Sequence, residues 1–348
     1  MNNPYTLAFG RRPHSYISRY EQVNSVIESF NGEYPSAQVY MITGVRGSGK
    51  TVLMTNIEKE LEKDKAWITI ELNPETDLLE GLAARLYSRP ELGALFAKAE
   101  INLSLFGIGV SISNSTPITS IETAIERMLK VLKKEKKKVL VSIDEVTNSK
   151  NVKIFASAFQ IFMRQEYDIF LLMTGLYEHI YNLQNEDTLT FLYRAPKIHL
   201  TSLNIGAIQY NYKEVFNLSD GEATEMAKAT KGYAFAYQVL GFIRWENKNK
   251  TLAEIYRLYE QQLEDFVYEK IWSELSTKDR EVLAAIGSDG AVKTKTIRDK
   301  TGMTSCLFST YRDRLEKKGL IDTSQYGYIR LTLPRFSDFV ERRAGLQY

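Results

Sequence analysis

The sequence predicts a three-layer α/β core on a mainly parallel sheet, followed by a helical segment and a small domain of short helices closed by a hairpin. Three observations carry this reading. A glycine-rich loop at residues 44–51 (GVRGSGKT) sits between a strand-like apolar run and a helix-like stretch. Strand-length apolar runs then alternate with amphipathic stretches through residue 203. From Ser276 onward the pattern shifts to short, capped helices and two short strands.

Residues 38–43 (QVYMIT) have the apolar and β-branched content of a short buried strand, and residues 51–61 (TVLMTNIEKEL) have helical spacing. Further strands are expected at 66–72 (AWITIEL), 139–143 (VLVSI), 169–174 (IFLLMT) and 197–203 (KIHLTSL), with an amphipathic helix at 152–165. Right-handed crossovers between such strands place helices on both faces and a ligand at the strands' C-terminal ends. Residues 101–113 (INLSLFGIGVSIS) alternate apolar with polar or small residues, which predicts a β-hairpin bending near Gly107 or Gly109. Residues 211–247 read as helical.

At 348 residues with 44% hydrophobic content, the chain can support two or three domains with sizeable cores. Its net charge is only +2, from 45 basic and 43 acidic residues, so any basic surface must be local. A single cysteine, Cys306, excludes an internal disulfide and a cysteine zinc site, and three scattered histidines offer no metal cluster. The N-terminal residues have no basic region followed by an apolar one, and no stretch of about eighteen apolar residues occurs. A cytoplasmic protein with no membrane partner is expected.

The glycine-rich loop matches G-x-x-x-x-G-K-[ST] in a strand, loop, helix context. Backbone N–H groups of such a loop close round phosphates, and the helix N-terminus favours the negative charge. ATP binding is therefore expected at Gly44, Val45, Arg46, Gly47, Ser48, Gly49, Lys50, Thr51 and Val52. Lys50 is expected to reach the β- and γ-phosphates, and the Thr51 hydroxyl to ligate Mg2+. The apolar run 139–143 ends in Asp144 and Glu145, two acids at the C-terminal end of a buried strand. Asp144 is expected to hold Mg2+ through its water shell, and Glu145 to polarise the attacking water as catalytic base.

The ordered set GVRGSGKT, VLVSIDE and LLMTG resembles the AAA+ and STAND branch of P-loop ATPases, in particular those related to origin-recognition initiators. The likeness runs through nearly the whole chain. It implies a P-loop NTPase core, an α-helical lid and a winged-helix domain, which we place at residues 1–205, 206–272 and 273–348. The segment Ile17-Ser18-Arg19-Tyr20-Glu21 is similar to the family's adenine-side element, with Ser18 in place of the usual glycine; the resemblance makes Arg19 a nucleotide contact. It further implies that Thr174 is the polar sensor orienting water, or else only a strand-ending threonine at a turn. Arg194 stands where an arginine finger sits, acting on a neighbour's nucleotide or its own. At the lid turn, Phe235 replaces the initiators' sensor arginine and Ala234 the STAND proline, while Gly232 fits the shared turn. Arg244, further along that helix, is a candidate substitute.

Residues 277–286, 292–301 and 306–318 read as three short helices, and 320–323 with 328–333 as the strands of a wing. Leu307, Phe308, Tyr311 and Leu315 predict one apolar stripe on the third helix, leaving Ser305, Ser309 and Arg312 on the face a recognition helix lays in a groove. Residues 291–348 hold twelve basic residues against six acidic, a net +6. Lys293, Lys295, Arg298, Lys317, Lys318, Arg330 and Arg335 are candidate phosphate contacts to double-stranded DNA. Two functions follow from these readings. One is an ATP-hydrolysing switch that couples nucleotide state to DNA. The other is a STAND-like signalling or scaffold ATPase whose winged helix binds a homo-oligomer or protein partner.

Overall fold

A computed structural model describes residues 2–8, 13–109, 116–287 and 290–345. The chain divides into two compact units. One comprises Tyr20–Thr43 and Leu53–His199; the other comprises Met1–Arg19, Gly44–Val52 and Leu200–Tyr348. The described residues before Tyr20 and the glycine loop thus group with the C-terminal part of the chain.

The first unit is a five-stranded parallel sheet in the order β2-β3-β4-β1-β5, made of β1 (Val39–Thr43), β2 (Trp67–Leu72), β3 (Lys138–Ile143), β4 (Ile169–Gly175) and β5 (Lys197–His199). Burial on both faces explains why its strands read as continuous apolar runs. Successive side chains point to opposite faces. Met41, Val141, Ile143, Leu171 and Met173 therefore join the helices Leu78–Tyr87, Ile121–Lys134 and Lys150–Arg164 in one core. On the other face, Tyr40, Trp67 and Phe170 pack round Phe30 of the helix Tyr20–Asn31.

Two expectations change here. The described part of the expected hairpin, residues 101–109, contains no strand; it is a loop with a single 3-10 turn at Ser104–Phe106. Its alternation arises because Ile101 and Leu103 bury in the helical layer, while the Asn102 side chain accepts from the Ser104 N–H at 3.1 Å. Residues 110–113 lie outside the described residues. The last strand also stops at His199, since Leu203 donates instead to the Gly232 carbonyl at 2.7 Å in the other unit's own fold.

The second unit begins with helices Ile205–Phe216, Asp220–Ala229, Ala234–Glu246 and Leu252–Leu263, the last running through a π-turn (Glu264–Tyr268) into Glu269–Ser273. The N-terminal segment is sewn onto these helices. Tyr5 stacks on Phe216 with centroids 5.7 Å apart, and the hydroxyls of Tyr5, Ser15 and Tyr237 converge on Oδ1 of Asn211 at 2.8, 2.9 and 2.6 Å. Beyond them come the helices Thr277–Ile286, Thr294–Thr301 and Ser305–Lys317. A three-stranded antiparallel sheet, β6 (Val292–Lys293), β8 (Tyr328–Leu331) and β7 (Ile321–Asp322), follows with a final helix Phe336–Gly345. Val282, Ile297, Phe308, Leu315, Ile329 and Phe339 form its core. Asp279, 1% exposed, caps the Thr277–Ile286 helix through Ser276 and is neutralised by Arg314, whose Nε lies 2.9 Å away. Leu307 does not join the core stripe. It is 43% exposed on the Ser305–Lys317 helix, while Phe308 and Leu315 carry the burial.

Candidate functional site

The glycine loop lies within the second unit, and its conformation needs its glycines. Gly47 and Gly49 hold φ of 76° and 92°, a region costly for any residue with a Cβ. The Ser48 N–H turns inward to the Val45 carbonyl at 3.1 Å. Lys50 is buried and folds back, with Nζ donating to the carbonyls of Gly44 and Val45 at 3.1 and 3.3 Å. Helix Lys50–Leu61 starts at this lysine, so the N–H groups of Lys50, Thr51 and Val52 lie in its first turn, at the positive end of the helix dipole. Backbone donors, a lysine and a helix dipole on one short loop suit a polyphosphate.

Residues from elsewhere in the same unit hold this loop from outside. Arg19 donates from Nη2 to the Ser48 carbonyl at 3.4 Å and to the Thr201 carbonyl at 2.6 Å. Burial lowers the pKa of Arg19 from its ordinary value. The Tyr233 hydroxyl donates to the Arg46 carbonyl at 2.5 Å, and the Phe235 N–H to the Gly47 carbonyl at 3.0 Å. Arg46 pairs with Glu274 at 3.2 Å, a carboxylate that also meets Lys270 at 3.3 Å. The turn before helix Ala234–Glu246 therefore meets the loop through Tyr233 and Phe235. Arg244 sits in the last turn of the Ala234–Glu246 helix and donates to the Lys250 carbonyl at 3.3 Å.

In the first unit, the ends of β3 and β4 are tied together. The Thr174 hydroxyl donates to Oδ1 of Asp144, and its oxygen accepts from the Glu145 N–H at 3.2 Å. The Glu145 N–H also meets Asp144 Oδ1 at 3.1 Å, and the Val146 N–H donates to the Thr174 carbonyl at 2.8 Å. Glu145 is exposed and holds φ of 53°, an uncommon conformation for a residue with a side chain. A half-buried Asp144, orientated by a threonine, suits a hard divalent cation held through water.

Two further polar contacts in this unit escaped the sequence reading. Ser142 of β3 donates to Glu58, whose pKa burial pushes up to about 7 against the lowering effect of that bond. Thr43, the last residue of β1, meets Nδ1 of His199, the last residue of β5, at 2.5 Å. Burial and then the Lys197 charge lower the His199 pKa. Arg194 is exposed at the C-terminal end of helix Thr190–Arg194, before β5.

The expected nucleic-acid residues are spread over the C-terminal domain of the second unit. Lys293 lies on β6 opposite Tyr328, and Lys295 is exposed in the first turn of helix Thr294–Thr301. Arg298 reaches the Ser305 hydroxyl at 3.4 Å. Arg312 pairs with Asp313 at 2.8 Å, Arg330 with Asp322 at 2.6 Å and Arg335 with Glu260 at 3.1 Å. Ser305 and Lys317 are exposed, and Ser309 and Lys318 half-buried, on or just after the Ser305–Lys317 helix. Much of the +6 charge is thus engaged locally.

Tyr233 is neither the arginine nor the proline that the sequence resemblance places at this turn. The signal present was Lys-Gly-Tyr directly before an apolar helix. Glu58 and the Arg46–Glu274 pair carried no local signal, since Ser142 and Arg46 are distant in sequence from the glutamates they meet.

Comparison with known proteins bears on the fold. Residues 265–340 match the family described as Domain of unknown function (DUF8462). No curated protein matches the chain in sequence. A Walker-type ATPase of Pyrococcus abyssi superposes with a TM-score of 0.66 at 17% identity, covering 97% of this chain and 99% of that one. The ORC2 protein of Aeropyrum pernix, solved as ADPNP-ADP complexes, superposes with a TM-score of 0.61 at 13% identity, covering 98% of each chain. The chain therefore has the α/β fold of P-loop ATPases of the Walker and origin-recognition type. Among the described residues, no helix is long and apolar enough to cross a membrane.

Proposed function

We propose that this protein is an Mg2+-dependent ATPase that acts as a switch, coupling its nucleotide state to DNA through a C-terminal winged helix. The observation that carries the reading is the glycine loop, with its two left-handed glycines, buried Lys50 and helix start at the same residue. Residues 44–52 bind the phosphates of ATP, with Lys50 supplying positive charge and Thr51 a metal-ligating hydroxyl. Mg2+ neutralises phosphate charge when bound. Asp144, its carboxylate bonded by Thr174, would hold the water shell of the metal, and Glu145 would take the proton of the attacking water. Arg194, exposed beside β5, stabilises charge developing on the transferred phosphoryl group. The ATP and DNA sites influence each other reciprocally, because any coupling free energy acts equally on both ligands.

The DNA contribution rests on Lys293, Lys295, Lys317 and Lys318, with Ser305, Ser309 and Arg312 on the recognition helix. A second reading is supported by the internal pairing of Arg312, Arg330 and Arg335, which leaves fewer cations for phosphate contacts. In that reading the C-terminal domain holds a protein partner or another copy of the chain. Fluorescence-anisotropy binding to duplex DNA across a salt series, with and without ATP, separates the two. Affinity that falls with salt and changes with nucleotide supports the DNA switch. Absence of binding at low salt overturns it and leaves the protein-binding ATPase.

A further inference from the structure

Three consecutive carbonyls of the glycine loop are gripped from outside it. Arg46 O accepts from the Tyr233 hydroxyl at 2.5 Å, Gly47 O from the Phe235 N–H at 3.0 Å, and Ser48 O from Arg19 Nη2 at 3.4 Å. A trans peptide is planar, so the carbonyl of one residue and the N–H of the next point to opposite sides. Holding these carbonyls therefore sets the directions of the Gly47, Ser48 and Gly49 N–H groups. The Ser48 N–H is spent on Val45. What the grip aims away from the lid is the pair of glycine donors.

The gripping residues are themselves linked. Arg19 binds the Thr201 carbonyl at 2.6 Å, and the nearby Leu203 N–H binds the Gly232 carbonyl at 2.7 Å, immediately before Tyr233. Tyr233 is buried, and burial drives its hydroxyl far above the ordinary tyrosine range, so it remains a donor at working pH. A Cβ at Gly47 would overlap that hydroxyl and come within 2.9 Å of Phe235 Cβ. The lid turn lies as close to the loop as a glycine permits.

We propose that Tyr233 and Arg19 are positioning residues of the nucleotide site, fixing the phosphate-binding N–H groups by holding the carbonyls behind them. This rests on the nucleotide reading of the loop given above. The lid then acts on the loop's backbone, where other lids would place an arginine on the terminal phosphate. Backbone donors of such loops cradle the α- and β-phosphates, which ADP and ATP share. An arginine at the γ-phosphate would instead favour ATP alone.

The test is calorimetric titration of the full chain with ATP and with ADP, in Mg2+, well below the thermal midpoint. Tyr233→Phe keeps the ring and removes the donor. Both dissociation constants are expected to rise about five- to twentyfold, with their ratio unchanged within about twofold. Arg19→Lys removes the guanidinium fork and is expected to act in the same sense, which keeps the test available if Tyr233→Phe does not fold. A loss confined to ATP overturns the proposal. A lower midpoint with both affinities intact also overturns it, because that is the signature of packing alone. If the wild type binds neither nucleotide, the nucleotide reading itself fails; binding by the wild type with unaffected variants overturns only the positioning role.

Discussion

The Thr174 hydroxyl donates to Asp144 and accepts from the Glu145 N–H at 3.2 Å, so one side chain at the end of β4 orders both acids at the end of β3. It helps to orient the Asp144 carboxylate, which also accepts from the Glu145 N–H at 3.1 Å. Thr174→Val keeps the volume and removes both bonds. If Asp144 holds the metal as proposed, ATP turnover is expected to fall about ten- to hundredfold, the usual cost of losing a residue that orients a metal ligand. Thr174→Ser is expected to recover most of it. Phosphate-release assays on the two variants check this.

Glu145 holds a backbone conformation that glycine adopts without penalty, at φ 53°. Glu145→Gly is expected to relieve strain on the order of 1 kcal/mol and raise the thermal midpoint by about one to two degrees. It removes the proposed base at the same time, so hydrolysis should drop by about two orders of magnitude or more. Calorimetric melting and phosphate release on the same preparation read both effects.

Glu58 titrates near 7 because burial disfavours its charge, with Glu71, Glu62 and Asp144 adding to the rise and the Ser142 bond opposing it. Its folded pKa lies above its unfolded one, so the folded state binds the extra proton. The associated stability is present below about pH 4.5 and is lost as pH rises through about 7. Glu58→Gln removes the titration. Its stability relative to wild type is expected to improve between pH 5 and pH 8, by on the order of 2 kcal/mol, in urea melts at the two values.

His199 moves the other way, its pKa lowered by burial and then by Lys197. Its folded pKa lies below its unfolded one, so the stability it contributes is present above about pH 6.5 and is lost as pH falls through the folded value. Its bond to Thr43 joins the ends of β1 and β5. His199→Asn is expected to flatten the acid side of the stability profile, measured by urea melts from pH 7.5 to pH 5.

The parts of this fold that depend on neighbours in sequence were legible before the structure. The glycine loop, β1 to β4 and the acid pair Asp144-Glu145 each carry their own periodicity or spacing, and each was found within a residue or two. Alternation has another cause at Ile101 and Leu103, whose burial under helices mimics a strand. Leu307 shares the helical spacing of the core positions, yet it is exposed, and Phe308 and Leu315 fill the interior. Long-range chemistry left no mark. Tyr233 and Arg46 are far apart in sequence, as are Glu58 and Ser142, and only the folded chain brings each pair together.

Equilibrium titration of the full chain with ATP in Mg2+ tests the central claim most directly, with Lys50→Ala as the comparison. Saturable binding at one site per chain, weakened at least about tenfold by Lys50→Ala, is the expected result. Absence of saturable binding, or binding indifferent to Lys50→Ala, would contradict the assignment of the glycine loop as the nucleotide site.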